Sequence, residues 1–297
     1  MRPAERGFLL LTGHLGNPER KPLTASQLRQ LAQRARGCDP LPEDRELEER
    51  DLMALGYGPE MAKRIADLLA EEELLEHYLQ KGRKRGCVPI TRISEDYPLV
   101  LRRRLGVDSP GCLWARGDIS LLAQPAVALV GSRELREENR RFAAEAGRQA
   151  ALQGYVLISG NARGADRTAQ ESCLAAGGKV ICVVPDALWK QPTRENVLYL
   201  SEDGYDEAFS AQRALSRNRC IHGLGLMTFV AQVGLGKGGT WDGTMKNLHA
   251  RWSGVYAFRD GSEGMTQLEQ MGACLIEMEE LESFYDLPEP ERNLFDR

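Results

Sequence analysis

Apolar side chains recur at helical spacing up to about residue 85 and gather into short unbroken runs from residue 126 onward. In the first region, Leu23-Thr24-Ala25-Ser26-Gln27 sets polar capping residues ahead of a stripe of Leu28, Leu31 and Ala32, which predicts a helix. A second helix is predicted to end in Leu52-Met53-Ala54-Leu55. A third follows from Glu60, with Met61, Ala62, Ile65, Leu68 and Leu69 on one face. Leu52 to Ile65 therefore has the spacing of a helix-hairpin-helix, with Gly56 and Gly58 supplying the backbone freedom of its turn. Such a turn either packs or offers its free amides to a DNA phosphate.

From residue 87 the pattern changes. Val88-Pro89-Ile90 and Tyr97-Pro98-Leu99 sit in a Pro-interrupted stretch that reads as an extended connector. Six runs follow: Ala126–Gly131, Tyr155–Gly160, Val180–Pro185, Leu226–Ala231, Val255–Phe258 and Ala273–Ile276. They are continuous rather than alternating, as strands buried on both faces of a parallel sheet are, and helical segments separate most of them. The expectation is an α/β protein: a doubly wound, mostly parallel Rossmann-like sheet over residues 87–297, with a small all-helical domain over residues 1–86.

Composition narrows the class without naming a function. The 297 residues are 42% hydrophobic and 28% charged, with a mean hydropathy of -0.40, ordinary for a soluble globular chain. No apolar run reaches bilayer length, and Phe8–Leu11 is too brief for a signal-peptide core, so a cytoplasmic, non-membrane protein is expected. The seven cysteines, Cys38 among them, are scattered singly with no metal-ligand spacing, which fits a reducing compartment and calls for no zinc. Net charge is -4, but it is polarised. Residues 81–104 hold eight Lys/Arg (Lys81, Arg83, Lys84, Arg85, Arg92, Arg102, Arg103, Arg104), and residues 277–297 hold eight Asp/Glu. Each cluster reads equally as a solvated face or as a contact surface.

Candidate chemistry gathers where strands end. Gly131-Ser132-Arg133 follows the first run: glycine permits close approach, Ser132 and early helix amides can donate, and Arg133 can pair a phosphate. Ser159-Gly160-Asn161-Ala162-Arg163-Gly164-Ala165-Asp166 follows the second, with a helix expected from Gly164. Arg163 can touch a phosphate, and Asp166 reads either as a structural carboxylate or as a partner for an arginine or a sugar hydroxyl. Gly234-Leu-Gly-Lys237-Gly238-Gly239-Thr240-Trp-Asp242-Gly-Thr244 is glycine-rich and carries a cation, as an anion nest does. It is not a Walker A loop, since no Ser or Thr follows Gly-Lys, and no dinucleotide fingerprint follows the first strand. No cofactor is implied. Arg213, Arg217, Asn218 and Arg219 lie close together with no acid between them and suggest a positive wall; Arg213 and Arg217 share a helix face. His222 and His249 read as packing or surface residues.

Together these motifs resemble the DprA/Smf family. The resemblance rests on Val130-Gly-Ser-Arg133, Ser159-Gly-Asn-Ala-Arg-Gly-Ala-Asp166 and Arg217-Asn-Arg-Cys-Ile-His-Gly-Leu224, in that order, with Val88–Leu99 and Leu113–Gly117 similar to the family's entry into the sheet. The first 85 residues resemble its SAM/helix-hairpin-helix domain. The resemblance implies a non-enzymatic protein that binds single-stranded DNA, often as a dimer, and helps load the RecA recombinase. Gly131, Ser132, Arg133, Ser159, Gly160, Arg163, Gly164, Asp166, Arg217, Asn218 and Arg219 match its pocket motifs. Lys179 matches a position where the family places a basic residue facing DNA. The chain departs from the family in three places. Pro185–Asn196 lacks the Gly-Leu-Asp and Tyr-Pro signature, and Gly236–Thr244 replaces a Ser-Gly-rich loop. With the sequence ending at Arg297, a C-terminal winged helix is expected to be absent.

A rival reading uses the same wider fold for a small nucleotide, as a sensor or as a phosphoribohydrolase-like enzyme cleaving an N-glycosidic bond. Those enzymes place a glutamate shortly after a Gly-Gly-Thr loop. Here Asp242 is the only nearby carboxylate.

Overall fold

The computed structural model describes residues 1–36, 47–202 and 204–289; Cys38 and the last part of the acidic segment, residues 290–297, lie outside them. The chain opens with α1 (Pro3–Thr12), α2 (Ala25–Arg34), α3 (Glu49–Ala54), α4 (Pro59–Leu69) and α5 (Glu72–Lys84). Capping of α2 is as the sequence predicts: Thr24 accepts from the Gln27 amide while the Gln27 side chain accepts from the Thr24 amide. The hairpin of α3 and α4 is also present. Arg34 braces its turn from α2, donating to the Leu55 carbonyl at 3.3 Å and lying 4.2 Å over the Tyr57 ring. Leu52, Ala62, Ile65 and Leu68 bury a small core with Leu11 and Leu23. The Phe8–Leu11 run is itself helical, within α1, and Leu9 and Leu10 join the main core instead. Buried Arg20 ties these pieces together, donating to the Leu10 carbonyl at 2.5 Å and pairing with Glu71 at 2.5 Å.

The Pro-interrupted stretch is no connector. It carries β1 (Val88–Thr91), then α6 (Leu99–Leu105), which starts directly after Pro98, and then β2 (Cys112–Arg116). Proline is tolerated in both places, at a helix start and in an edge strand, because neither needs its missing N–H. Tyr78 of α5 stacks on Tyr205 with centroids 4.5 Å apart, and Trp114 of β2 meets both rings edge-to-face at 5.0–5.3 Å, docking the last N-terminal helix onto the sheet.

The six predicted runs all become strands. In chain order the remaining elements are β3 (Ala126–Val130), α7 (Glu137–Leu152), β4 (Val156–Ser159), α8 (Ala165–Ala175), β5 (Lys179–Val183), β6 (Val197–Ser201), α9 (Ala211–Ser216) and α10 (Asn218–Leu224). They end with β7 (Met227–Val230), α11 (Gly238–Ala250), β8 (Gly254–Phe258), α12 (Glu263–Gln270) and β9 (Cys274–Ile276). β6 is additional to the expected set; it follows β5 through a loop that contains only a short 3-10 turn, so no helix marks its approach. The nine strands run β1-β2-β6-β5-β4-β3-β7-β8-β9. Pairing is parallel from β6 to β9 and antiparallel at β1, β2 and the β2–β6 junction. β3, β4 and β6 are buried at every position, which is why their sequences do not alternate. The order also fixes where a ligand fits. After β3 the chain builds outward through β4, β5 and β6, then returns to lay β7 against the other side of β3, so strand order reverses between β3 and β7.

Candidate functional site

A crevice of about 610 Å³ opens beyond the carboxyl ends of β3, β4 and β7, at that reversal point. Its walls come from the loop after β3, the loop after β4, helices α9 and α10, and the loop and first turn leading into α11. Of the residues singled out from sequence, Gly131, Ser132, Arg133, Asp166, Arg217, Asn218, Lys237, Gly238, Gly239 and Thr240 line it.

Two of its loops are locked to each other by backbone contacts that only glycine permits. Gly164 has φ +88°, and a Cβ there would sit 2.4 Å from the Ser132 carbonyl oxygen. That closeness lets the Ala165 amide donate to Ser132 O at 3.1 Å. Gly160 is gripped at both ends of its backbone. Its amide donates to Asp166 Oδ2 at 3.0 Å, and its carbonyl accepts from Arg217 Nη2 at 3.0 Å. A Cβ at 160 would lie 1.7 Å from Arg217 Nη1, so the buried guanidinium occupies the space a side chain would need. Asp166 also accepts from the Ala162 amide at 3.1 Å. Burial raises its carboxyl above the usual carboxylate range, against the pull of Arg217 and of these two amides, and burial lowers the Arg217 guanidinium. Through these bonds Asp166 shapes the loop after β4.

The positive wall expected from Arg213, Arg217 and Arg219 does not form. Arg213 pairs with Glu207 at 2.5 Å, Arg219 pairs with Glu202 at 2.5 Å, and Arg217 is committed to Gly160. The acids that neutralise the first two come from the segment just before α9, which the spacing within 213–219 could not reveal. Asn218 donates to the Gly239 carbonyl at 3.0 Å and so braces the start of α11. Arg163 does not line the crevice; its side chain is 75% exposed, beside Glu134 at 3.5 Å. The Ser132 amide is also taken, by the Gln232 carbonyl at 3.0 Å, so only its hydroxyl can serve as a donor to a ligand.

Two cations remain uncommitted. Arg133 and Lys237 both line the crevice, and neither side chain has a hydrogen bond or ion pair among the described residues. Beside them lies the amino end of α11. The glycine-rich segment is not a free loop here: Gly238, Gly239 and Thr240 form the first helical turn, with no side chain capping it. Thr240 donates its hydroxyl to the Gly131 carbonyl at 3.0 Å, which leaves the first-turn amides and the positive end of the helix dipole toward the crevice.

Other predicted residues lie elsewhere. Ser159 is buried and accepts from Gln170 at 2.5 Å. Lys179 begins β5 at the opposite, amino edge of the sheet, bonded to Gln124 at 3.0 Å. The basic segment 81–104 is not one surface either. Arg85 stacks on Trp189 at 4.4 Å, Arg92 donates to the Gly106 carbonyl at 2.7 Å, and Arg104 caps α10 through the Gly223 and Gly225 carbonyls. Asp242, the carboxylate considered for hydrolysis, pairs with Lys246 at 2.7 Å and does not line the crevice. Sequence reasoning missed Phe209, whose ring is 58% exposed at the crevice mouth, because it sits in an aperiodic stretch between strand and helix.

His222 is a fully packed wall residue, with its Nδ1 3.3 Å from Thr228 Oγ1 and 3.2 Å from Asn247 Nδ2. Burial drops its pKa to about 3, well under the ordinary 6.5. The folded protein therefore keeps His222 neutral while the unfolded chain takes up a proton below pH 6.5. Its contribution is intact above that pH and is lost as pH falls toward 3, with a limiting slope of about 1.4 kcal/mol per pH unit. Urea midpoints measured from pH 7 to pH 4 should fall more steeply in wild type than in His222→Gln; parallel curves would refute this burial cost.

Comparison with known proteins bears on what such a site serves. The family model described as DNA recombination-mediator protein A matches residues 89–284. The DNA processing protein DprA of Streptococcus pneumoniae is 30% identical over 186 residues, 57% of this chain and 64% of that protein, just under two thirds of its length. The X-ray structure of DNA processing protein A from that organism superposes with a TM-score of 0.73 at 23% identity, covering 97% of this chain and all of that one. A second solved structure, of DNA processing protein A from Helicobacter pylori, was described for its single-stranded DNA binding mode. It has a TM-score of 0.55 at 22% identity over 65% of this chain and 93% of that chain.

Proposed function

Because the chain belongs to the DNA recombination-mediator protein A family, we propose that it binds single-stranded DNA in the β3/β7 crevice and acts as a recombination mediator rather than as an enzyme. The observation that carries this reading is the pair of uncommitted cations, Arg133 and Lys237, beside the uncapped first turn of α11. Phosphodiester oxygens accept from guanidinium, ammonium and helix-end amides alike, and the binding reads no sequence. The exposed Phe209 ring at the mouth supports single strands over duplex, since only an unpaired base can lay its face on an aromatic platform. The Helicobacter pylori relative lends the same ligand class. Loading of RecA onto the bound strand, a homodimeric state and a cytoplasmic location complete the proposal; among the described residues no helix is long and apolar enough to cross a membrane.

Among the described residues, the hydrolytic form of the rival reading lacks a carboxylate poised for it, since Asp242 pairs with Lys246 and Asp166 is held by two amides. Fluorescence anisotropy with labelled single-stranded and duplex oligonucleotides across a salt series tests the proposal. Single strands should bind tighter than duplex. Two phosphate contacts alone predict a log–log salt slope of about -1.4, at roughly -0.7 per phosphate on single strands. Equal affinity for duplex, or affinity insensitive to salt, would sink it.

A further inference from the structure

A second, smaller cavity lies on the far side of the β4–α8 loop from the crevice. It holds about 160 Å³ between α8, the faces of β5 and β6, and the loop from Pro185 to Asn196. This is the loop whose sequence departs from the family signature. Tyr199, Arg167, Gln170, Asn161, Gln191 and Arg194 supply its polar lining.

Four observations point to a ligand rather than to a solvated dent. Tyr199 is only 4% exposed, lines the cavity, and has no hydrogen-bond partner for its hydroxyl among the described residues. The hydroxyl oxygen itself is not sealed within the protein, so it opens onto the cavity and can bond to an occupant. Arg167 and Arg194 reach the same space, and neither guanidinium has a hydrogen bond or ion pair among the described residues. Glu171 lines the cavity as well, with no ion pair to either arginine among the described residues. Third, Arg116 approaches from β2. Its Nη atoms hold the loop through the Trp189 carbonyl and the Thr193 hydroxyl, both at 3.1 Å, while its buried Nε has no partner. Burial, and after it the Cys182 thiol, push the Tyr199 hydroxyl up, against the pull of Arg194, Arg116 and Arg167. Finally, the walls are fixed in advance. Asn161 donates to Gln191 Oε1 at 3.3 Å, and buried Gln191 donates to Asp186 at 3.2 Å. Two arginines against one glutamate leave the lining net positive, and a preformed polar cavity of that sign favours an anion.

We propose that this cavity is a second anion subsite that takes a phosphate group, received from the Tyr199 hydroxyl and the Arg167 and Arg194 guanidiniums. Asn161 lines this cavity and Ala162 lines the crevice, so two adjacent residues of backbone separate the two positions. A strand held in the crevice can thus place a neighbouring phosphodiester here. That source rests on the function proposed above, whereas the phosphate chemistry of the subsite does not.

The test uses the full chain, a labelled oligothymidine and inorganic phosphate. The Arg167→Gln/Arg194→Gln variant changes only exposed side chains, and its thermal midpoint should match wild type. It should bind the oligonucleotide tenfold or more weakly, with a salt slope shallower by about 1.4, or roughly 0.7 for each lost contact. Tyr199→Phe should lose several-fold with little change of slope. Wild-type affinity and slope in the double variant, alongside weakened Arg133→Ala, would overturn the subsite and leave the crevice reading intact. Should wild type bind no oligonucleotide, the proposed function fails, and calorimetric titration with inorganic phosphate decides the subsite alone. Heat seen in wild type and lost in the double variant keeps it as a site for free phosphate. No heat, or equal heat in both, removes it.

Discussion

Arg133→Ala combined with Lys237→Ala is expected to lower affinity for single-stranded DNA by about a hundredfold, with a salt slope shallower by roughly 1.4 units. The magnitude takes the low end of the range for charge-assisted contacts, about 1.5 kcal/mol each, because both cations are exposed, and 1.4 kcal/mol is about a factor of ten. The two residues are separable from stability because neither side chain is bound to anything else among the described residues and both are exposed. Surface changes of that kind shift stability by no more than about 0.5 kcal/mol. Unfolding in urea should therefore match wild type while anisotropy titrations do not. The loss should be the same for mixed and homopolymeric strands, since phosphates carry no sequence. Arg213, Arg217 and Arg219 make the contrasting set. Each is tied to an internal partner, so removing any of them should act on folding first. If the double variant bound as wild type does, the crevice would not be the phosphate site.

The second large effect is on the fold. Gly164→Ala should lower stability by about 3–5 kcal/mol. Two costs combine. At φ +88° and ψ -125° the backbone is in a region open essentially to glycine alone, costing about 1–3 kcal/mol for another residue. The new Cβ would also meet two carbonyl oxygens, Ser132 O at 2.4 Å and Arg133 O at 2.5 Å. Those are backbone atoms of the loop after β3, so relief requires the loop to shift, unlike the case of a flexible side chain that can swing aside. Urea unfolding should show a lower midpoint with an unchanged m-value. The DNA affinity of the remaining folded protein should drop too, because the displaced loop carries Arg133. A stability loss under about 1 kcal/mol would mean that this approach is softer than its geometry indicates.

How much of this was legible beforehand depends on whether the signal was local. The runs at Ala126–Val130 and Val156–Ser159 announce buried strands because every side chain is apolar or small and both faces are covered. The Thr24–Gln27 cap is legible because its two partners lie three residues apart. The loops Gly131–Arg133 and Ser159–Asp166 were identified by what they contain, and they meet because strand order places them side by side. Val197–Ser201 obeys the same rule as the other strands, but β5 reaches it without an intervening helix, so a βα alternation passes it over. Charge compensation was the opaque part. Whether Arg213 or Arg219 stays available depends on Glu207 and Glu202, several residues away and brought close only by the fold. Burial of Tyr199 beside Arg167 and Arg194 is likewise invisible in one dimension, since β6 and α8 meet only through the sheet.

The two ends of the sheet have a bearing on how copies of this chain can associate. At one end β1 is four residues long and includes Pro89, which has no N–H to offer; at the other, β9 is three residues long. Neither end presents a long ladder of unpaired backbone groups, so growth by strand addition, the usual route from an open sheet to fibres, has little template to start from. Copies that associate would then meet through helix and loop surfaces rather than strand edges. Such an association would leave the backbone pairing of each sheet, and its amide exchange protection, unchanged.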